Sequence, residues 1–155
     1  MKTLILALLI LLSLSANASK LKSFTTDYCS NWPEGTKEDP TQWADCCFTH
    51  DLYYWVGGTE IDRKNADQIL KKCIKISSSS LEAFLMYMAV RMGGKPGDAT
   101  YAWGYGWIKS RGYEKIQSTE IQIAKELLET SEYNQKENTK PLITNFIDEV
   151  LSIKD

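Results

Sequence analysis

The sequence predicts an all-α protein built around two antiparallel helices that disulfides cross-link, with further helices toward the C-terminus. Three observations lead to this prediction. Capping patterns and glycine pairs divide the chain into segments of helical length. Apolar residues do not alternate with polar ones as they do in strands. Four cysteines occur in a chain that starts like an exported protein, which is typical of disulfide-bonded domains.

The first 18 residues have the features of a cleavable signal peptide. Lys2 supplies a positive charge, residues 4–14 form an apolar run, and Ala16-Asn17-Ala18 is a small-residue cleavage site. The run is shorter than the ~20 apolar residues that span a bilayer. Because no later apolar stretch is long enough for an anchor, we expect an exported protein, periplasmic or secreted, without a transmembrane segment.

Size and charge limit the classes of partner. Residues 19–155 are expected to form one domain and a monomer, with a core over about residues 27–76 and a helical extension over 79–155. The chain has 18 basic and 20 acidic side chains, and loss of Lys2 with the signal moves the net charge from −2 to −3. This balance does not favour nucleic acid and predicts no strong electrostatic docking on anionic lipid.

The first helix after the signal is predicted from its two ends. Asp39-Pro40 is typical of an N-cap followed by proline at the first helical position, and Gln42 is placed to complete a capping box. The helix is expected to run to about Val56, where Gly57-Gly58 ends it.

The second helix follows after a very short connection. Thr59 is a candidate N-cap with Asp62 three residues later, and the helix is expected to continue to about Ile76. Because only Gly57-Gly58-Thr59 separates the two helices, they must fold back as an antiparallel hairpin.

A third helix is predicted after Ser79, which forms a capping pattern with Glu82. Residues 81–90 are apolar on nearly every side, so we expect this helix to be buried. Gly93-Gly94 closes it.

The rest of the chain contains aromatic residues and two more helices. Residues 101–107 are rich in glycine, tryptophan and tyrosine, and we expect the aromatic rings to pack in the core rather than at a membrane surface. An amphipathic helix is predicted over residues 119–132, then a polar linker over 134–139 and a last helix over 141–153.

One stretch of the first helix concentrates reactive side chains. Cys46-Cys47 is followed by His50, the one histidine of the chain, and by Asp51. Imidazole is the side chain whose ordinary pKa lies nearest to neutrality, so His50 is the candidate general base. Cys47, His50, Asp51 and Tyr54 lie three or four residues apart and therefore share one face of the helix.

Asp67 is the candidate partner of His50. At 1.5 Å per residue, Asp67 and His50 lie ~13 Å and ~10 Å from the glycine turn on facing helices. Such a carboxylate fixes the imidazole tautomer and stabilises the imidazolium that forms during proton abstraction. A solvated Asp67 paired with Arg63 or Lys71 at i±4 is the simpler alternative.

Asp51 is a candidate metal ligand, and the disulfide pairing stays open. Asp51 is expected to point toward the segment around Cys29, where a carboxylate beside irregular backbone suits calcium. Because Cys46 and Cys47 are adjacent, each is expected to bond a distant partner, which leaves Cys29 and Cys73 to be shared between them.

The motif Cys-Cys-x-x-His-Asp, with Tyr54 four residues after His50, resembles the active-site helix of secreted phospholipase A2 enzymes. The resemblance extends to Asp67, six residues before Cys73, and covers about residues 27–73. The turn after the first helix leaves no room for the β-hairpin of animal members, so the chain is more similar to bacterial and fungal ones.

The resemblance implies calcium-dependent hydrolysis of the sn-2 ester of glycerophospholipids at a membrane surface. His50 would activate a water molecule, Asp67 would orient His50, and Tyr54 would donate a hydrogen bond to Asp67. All three residues occupy the positions that the motif gives them.

The resemblance also implies a calcium site and a disulfide pattern. Asp51 would bind the ion together with the Asp27 side chain and the Tyr28 carbonyl, in a loop that departs from the glycine-rich loop of animal enzymes. The implied disulfides are Cys29–Cys47 and Cys46–Cys73.

Two alternatives remain beside the enzyme. The departure in the loop allows a non-catalytic phospholipase A2-like module that binds lipid or protein. Three of the four cysteines with His50 would also suit a tetrahedral zinc site, although export weighs against free thiolates.

Overall fold

The computed structural model describes residues 21–152, so the expected signal peptide over residues 1–18 lies outside the described residues. Within residues 21–152 the chain is mainly helical and forms no strand; an isolated bridge joins Leu21 to Trp107. The all-α class is thereby confirmed. The α-helices are α1 (Ala44–Val56), α2 (Glu60–Ser77), α3 (Ser80–Gly93), α4 (Ser118–Glu129) and α5 (Lys140–Phe146). A 3₁₀-helix spans Glu132–Gln135 and a π-helix spans Ile147–Leu151.

Helices α1 and α2 form the expected antiparallel hairpin. Gly57 and Gly58 have φ angles of 73° and 136°, in the region that favours glycine, and they end α1. The Thr59 hydroxyl accepts a hydrogen bond from the Asp62 backbone N–H, and the Asp62 carboxylate accepts one from the Thr59 N–H. This capping box starts α2 directly after the turn.

One disulfide joins the two helices of the hairpin, and a second joins the hairpin to the loop before it. Cys46–Cys73 joins α1 to α2 with a Cα–Cα distance of 5.7 Å, and Cys29–Cys47 joins the loop to α1 with 5.1 Å. This is the pairing that the resemblance implies. No cysteine of residues 21–152 is free, which leaves the alternative zinc site without thiolate ligands.

Helix α1 begins four residues later than the sequence predicts. Asp39 accepts a hydrogen bond from the Thr41 backbone N–H at 3.3 Å and so closes a local turn instead of capping the helix. Gln42 does not complete a capping box, because its amide donates to the Ser77 carbonyl at the end of α2, at 2.6 Å. The tertiary contact replaces the local cap.

Helix α3 begins as predicted, but the expectation that it is buried is wrong. The Ser79 hydroxyl accepts the Glu82 N–H at 3.1 Å, and the helix ends at Gly93. Only Ala83 and Met86 of α3 are buried. The helix packs against α2 on one side and leaves most of its apolar residues exposed.

The C-terminal helices share a core with the hairpin. Buried residues of α4, α5 and the π-helix pack in one cluster with the buried face of α1. The α1 residues of that cluster are Phe48, Leu52, Trp55 and Val56. Trp107 of the aromatic segment lies in the same cluster and donates its indole N–H to the Val56 carbonyl at 2.9 Å, as expected for core packing.

The predicted bounds of the last helices are wrong by a few residues. Helix α4 starts at Ser118 because Gln117 and Glu120 form the capping box, and it ends at Glu129. The polar linker contains Thr139, which is fully buried and donates to the Tyr133 carbonyl at 2.5 Å. No helix within residues 21–152 is long and apolar enough to cross a membrane.

Candidate active site

His50 and Asp67 meet between α1 and α2. His50 Nε2 lies 2.9 Å from Asp67 Oδ1, and both residues are buried. The contact follows from the hairpin, because the short turn puts the two residues at similar depths on facing helices. With its proton on Nε2, His50 donates to the carboxylate and keeps Nδ1 as the basic nitrogen.

Asp67 receives two more hydrogen bonds. The Tyr54 hydroxyl donates to Oδ1 at 2.8 Å, and Arg91 Nη1 donates to Oδ2 at 2.6 Å. Burial would raise the pKa of Asp67, but the hydrogen bonds from His50, Arg91 and Tyr54 outweigh it and hold the pKa below its ordinary value. The carboxylate is therefore ionised where it faces the imidazole.

Arg63 supports the same group of residues from α2 although it is itself 1% exposed. Its Nε donates to the Tyr54 hydroxyl at 3.2 Å, and its Nη2 donates to the carbonyls of Val90 and Arg91 at 3.0 and 2.8 Å. These acceptors satisfy a guanidinium that would otherwise be costly to bury. Burial and the nearby Asp67 charge raise the pKa of Tyr54, so its hydroxyl stays a neutral donor.

The sequence did not predict the roles of the two arginines. The alternative for Asp67 was an ion pair with Arg63 or Lys71, whereas the structure pairs Asp67 with Arg91. Arg91 and Glu82 are the two charged residues of the otherwise apolar α3. A charged side chain within an apolar helix is usually paired, so the position of Arg91 in α3 was the one sequence feature that could have indicated an acidic partner.

Asp51 is a buried carboxylate next to His50. Its Oδ2 accepts a hydrogen bond from the Thr26 hydroxyl at 2.6 Å, and the residue is 5% exposed. Burial raises the pKa of Asp51 well above its ordinary value, the Thr26 hydrogen bond opposes this, and the charge of Asp27 raises the pKa further. No lysine or arginine of residues 21–152 forms an ion pair with Asp51. A bound cation would supply the missing counter-charge.

The loop before α1 places further oxygen atoms near Asp51. Tyr28 and Ser30 have φ angles of 58° and 55°, a conformation that is uncommon outside glycine and occurs often at functional sites. The Tyr28 N–H donates to the same Thr26 hydroxyl that contacts Asp51, at 2.9 Å. Asp27 accepts a hydrogen bond from the Ser30 hydroxyl at 2.9 Å.

These oxygen atoms are of the kind that calcium prefers. The Asp51 and Asp27 carboxylates and the Tyr28 carbonyl are hard donors, and calcium accepts several backbone oxygens in one site. The described part of the chain has no group of three or more His, Cys, Asp or Glu side chains that could hold a metal ion. A calcium site here would therefore depend on backbone oxygens beside two carboxylates.

An apolar cavity of about 390 Å³ borders the buried polar groups. Its volume lies in the usual range for small-molecule sites. Helices α1, α2 and α3 and two loops line it, with residues that include His50, Asp51, Tyr54, Met86, Val90 and Tyr101. Tyr101 has a positive φ angle of 60°, as do Tyr28 and Ser30 in the loop before α1.

The arrangement combines an imidazole base, an ionised carboxylate that orients it, a second carboxylate that pairs with no lysine or arginine of residues 21–152, and an apolar cavity. These groups are suited to the attack of a water molecule on an ester whose substituents are apolar. No protein-family model, no curated protein and no solved structure matches the chain.

Proposed function

We propose that this protein is a calcium-dependent phospholipase that hydrolyses the sn-2 ester of glycerophospholipids. One observation carries the proposal: the 2.9 Å contact of His50 Nε2 with Asp67 at the wall of an apolar cavity that Asp51 also lines. The resemblance of the Cys-Cys-x-x-His-Asp motif to secreted phospholipase A2 enzymes supports the same three residues.

The dyad would act by general-base catalysis. His50 Nδ1 takes a proton from a water molecule as the water attacks the ester carbonyl, and the imidazolium that forms is stabilised by ionised Asp67. Tyr54 and Arg91 hold the Asp67 carboxylate in position through both of its oxygens. The proton then passes from His50 to the leaving alcohol.

Asp51, Asp27 and the Tyr28 carbonyl would hold calcium beside the dyad. When bound, the ion supplies positive charge for the substrate phosphate and for the oxygen that becomes negative during the attack. Asp51 must be ionised for this role, although burial raises its pKa in the absence of a cation. The cavity walls would take an acyl chain and exclude bulk water.

The two disulfides are compatible with an oxidising compartment. We place the protein in the periplasm or outside the cell, where it would act as a monomer on membrane phospholipid. The expected signal peptide supports this location.

Fatty-acid release from phosphatidylcholine tests the proposal. The oxidised, purified protein should release fatty acid with calcium and stop when EDTA is added. The matched control is His50→Gln, which keeps a side chain of similar size but removes the base and should lose at least about a hundredfold in rate. Full activity of His50→Gln would contradict the mechanism.

The second candidate is a non-catalytic module that binds lipid or protein. The lack of a third acidic side chain near Asp51 within the described residues favours it, because such a site would bind calcium weakly. Calorimetric titration separates the two functions. A module of this kind would give no heat with calcium and no turnover, whereas the enzyme would give both.

A further inference from the structure

Helix α3 carries an exposed apolar surface, which we call the α3 stripe. It consists of Leu81, Phe84, Leu85, Met88 and Met92, each at least 40% exposed. Most of these residues are three or four positions apart, so they lie along one side of the helix. A contiguous surface of large apolar side chains marks an interaction site more often than single exposed residues do.

The α3 stripe adjoins the candidate active site. Met86, Ala89 and Val90 on the neighbouring side of α3 line the cavity. Leu85 and Ala89 are four residues apart and are therefore neighbours on the helix surface. A partner that covers the stripe would lie beside the cavity that holds His50 and Asp51.

The surroundings of the stripe are basic although the chain as a whole is acidic. Residues 71–95 contain four lysines, an arginine whose charge is paired with Asp67, and one acid, Glu82, in a chain of net charge −2. Lys71 reaches the stripe directly, since its Nζ lies 5.7 Å from the centre of the Phe84 ring and 4.9 Å from that of Tyr87. Apolar side chains with a lysine margin are the pattern of helices that lie in a membrane interface with anionic lipid.

We propose that the α3 stripe is the surface through which this protein binds phospholipid membranes that carry anionic headgroups. The inference rests on the proposed function, because the membrane would present the substrate to the cavity. The acidic net charge makes long-range attraction weak, so apolar contact carries the binding and the lysines add a preference for anionic lipid.

A second copy of the chain fits the stripe less well. In a symmetric dimer the same patch meets itself, which would bring the basic margins of the two copies together. Like charges across an interface disfavour it. A membrane with anionic headgroups has the opposite charge and needs no complementary shape.

The test measures binding to vesicles of ether-linked phosphatidylcholine, with or without ether-linked phosphatidylglycerol, which the enzyme could not hydrolyse. The doubly substituted Leu85→Glu/Met88→Glu protein should bind the mixed vesicles at least about tenfold more weakly than the wild-type protein. The matched control is Ile61→Glu/Ile108→Glu, which places the same two negative charges at exposed apolar positions outside α3 and should bind like the wild-type protein. Equal binding by the wild-type and double-variant proteins would overturn the proposal.

The lysine margin has its own prediction. Lys71→Gln/Lys75→Gln should weaken binding to vesicles with phosphatidylglycerol by about fivefold per lysine and leave binding to pure phosphatidylcholine unchanged. Equal loss on both kinds of vesicle would overturn the anionic preference. A wild-type protein that ignores vesicles but forms dimers that the stripe substitution dissociates would assign the surface to self-association instead.

A short-chain phosphatidylcholine, supplied below the concentration at which it aggregates, separates this inference from the proposed function. The Leu85→Glu/Met88→Glu protein should hydrolyse dispersed lipid like the wild-type protein while losing activity on vesicles. Stripe-dependent binding without any hydrolysis would leave the docking surface standing and refute the enzyme. Equal hydrolysis of vesicles by both proteins would refute the docking surface and leave the proposed enzyme standing.

Discussion

The α1–α2 hairpin and helix α3 depart from the usual distribution of side chains in opposite ways. The hairpin buries His50, Asp51, Arg63 and Asp67, which are residues that proteins normally expose. Helix α3 exposes the leucines, methionines and phenylalanine of the α3 stripe, which proteins normally bury. The two departures are adjacent, because both α1 and α3 line the same cavity.

The difference shows what each region requires. Two buried charges of the hairpin are paired inside the protein: Asp67 accepts three hydrogen bonds, and Arg63 donates to backbone carbonyls. Within residues 21–152, Asp51 accepts a hydrogen bond from Thr26 but forms no ion pair with a lysine or arginine, and the apolar side chains of the stripe are exposed. A bound cation would supply the counter-charge for Asp51, and a membrane would cover the stripe.

Asp67→Asn should have the largest effect, because it removes the charge on which the hairpin network depends. Asparagine cannot stabilise the imidazolium and disturbs the tautomer of His50, so the rate of ester hydrolysis should fall by about a thousandfold. Steady-state kinetics on phosphatidylcholine would measure it. A fall of less than about threefold would show that Asp67 has no part in the reaction.

Arg91→Met should have the next largest effect, because Arg91 belongs to α3 but bonds to the hairpin. The free energy of unfolding should fall by about 2 kcal/mol, as for loss of a hydrogen bond to a charged group. The turnover rate should fall by about tenfold as Asp67 loses its alignment. Arg91→Lys, which keeps the charge, should lose less than Arg91→Met both in unfolding free energy, measured with urea, and in turnover rate, measured by steady-state kinetics. If Arg91→Met lowers neither the free energy of unfolding nor the turnover rate, Arg91 does not support Asp67.

The pH dependence of stability should reveal the same ionised carboxylate. Because the folded protein lowers the pKa of Asp67 below its ordinary value of 3.8, the stabilisation is present above that pH and is lost as the pH falls through the folded value. The difference in unfolding free energy between the wild-type and Asp67→Asn proteins should therefore narrow as the pH falls below 3.8. A constant difference down to acid unfolding would contradict an ionised Asp67.

Leu85→Gln should have the smallest effect on stability, because the apolar side chains of the α3 stripe are already exposed in the folded protein. We expect a change in unfolding free energy of less than about 0.5 kcal/mol. Ile74→Ala, at a fully buried position of α2 against which α3 packs, should cost about 3 kcal/mol and serves as the comparison. Similar losses at both positions, measured by thermal unfolding, would show that the stripe is covered in the folded protein.

The hairpin could be predicted from the sequence because its signals are local. Gly57-Gly58 fixes the turn and the Thr59–Asp62 capping box fixes the start of α2. Once the turn is set, helix geometry alone brings His50 to the depth of Asp67. The helical rise per residue therefore predicts contacts only between residues that lie close in sequence to the same turn.

The features that the sequence did not reveal depend on distant contacts. Periodicity shows that α3 is apolar but not what covers it, so the expected burial of α3 was wrong. The start of α1 was misplaced because the Gln42 side chain contacts Ser77, far along the chain. Arg91 could not be assigned to Asp67 because their contact depends on how α3 packs against α2, which no local pattern encodes.

A calcium titration of hydrolysis, with phosphatidylcholine labelled in the sn-2 acyl chain, tests the central claim most directly. The claim is that the His50–Asp67 dyad and Asp51 act together on this ester. The wild-type protein should release the labelled acid with a saturable dependence on calcium, and Asp51→Asn should need far more calcium for the same rate. Release that persists in EDTA, or no release from the sn-2 position at any calcium concentration, would contradict the claim.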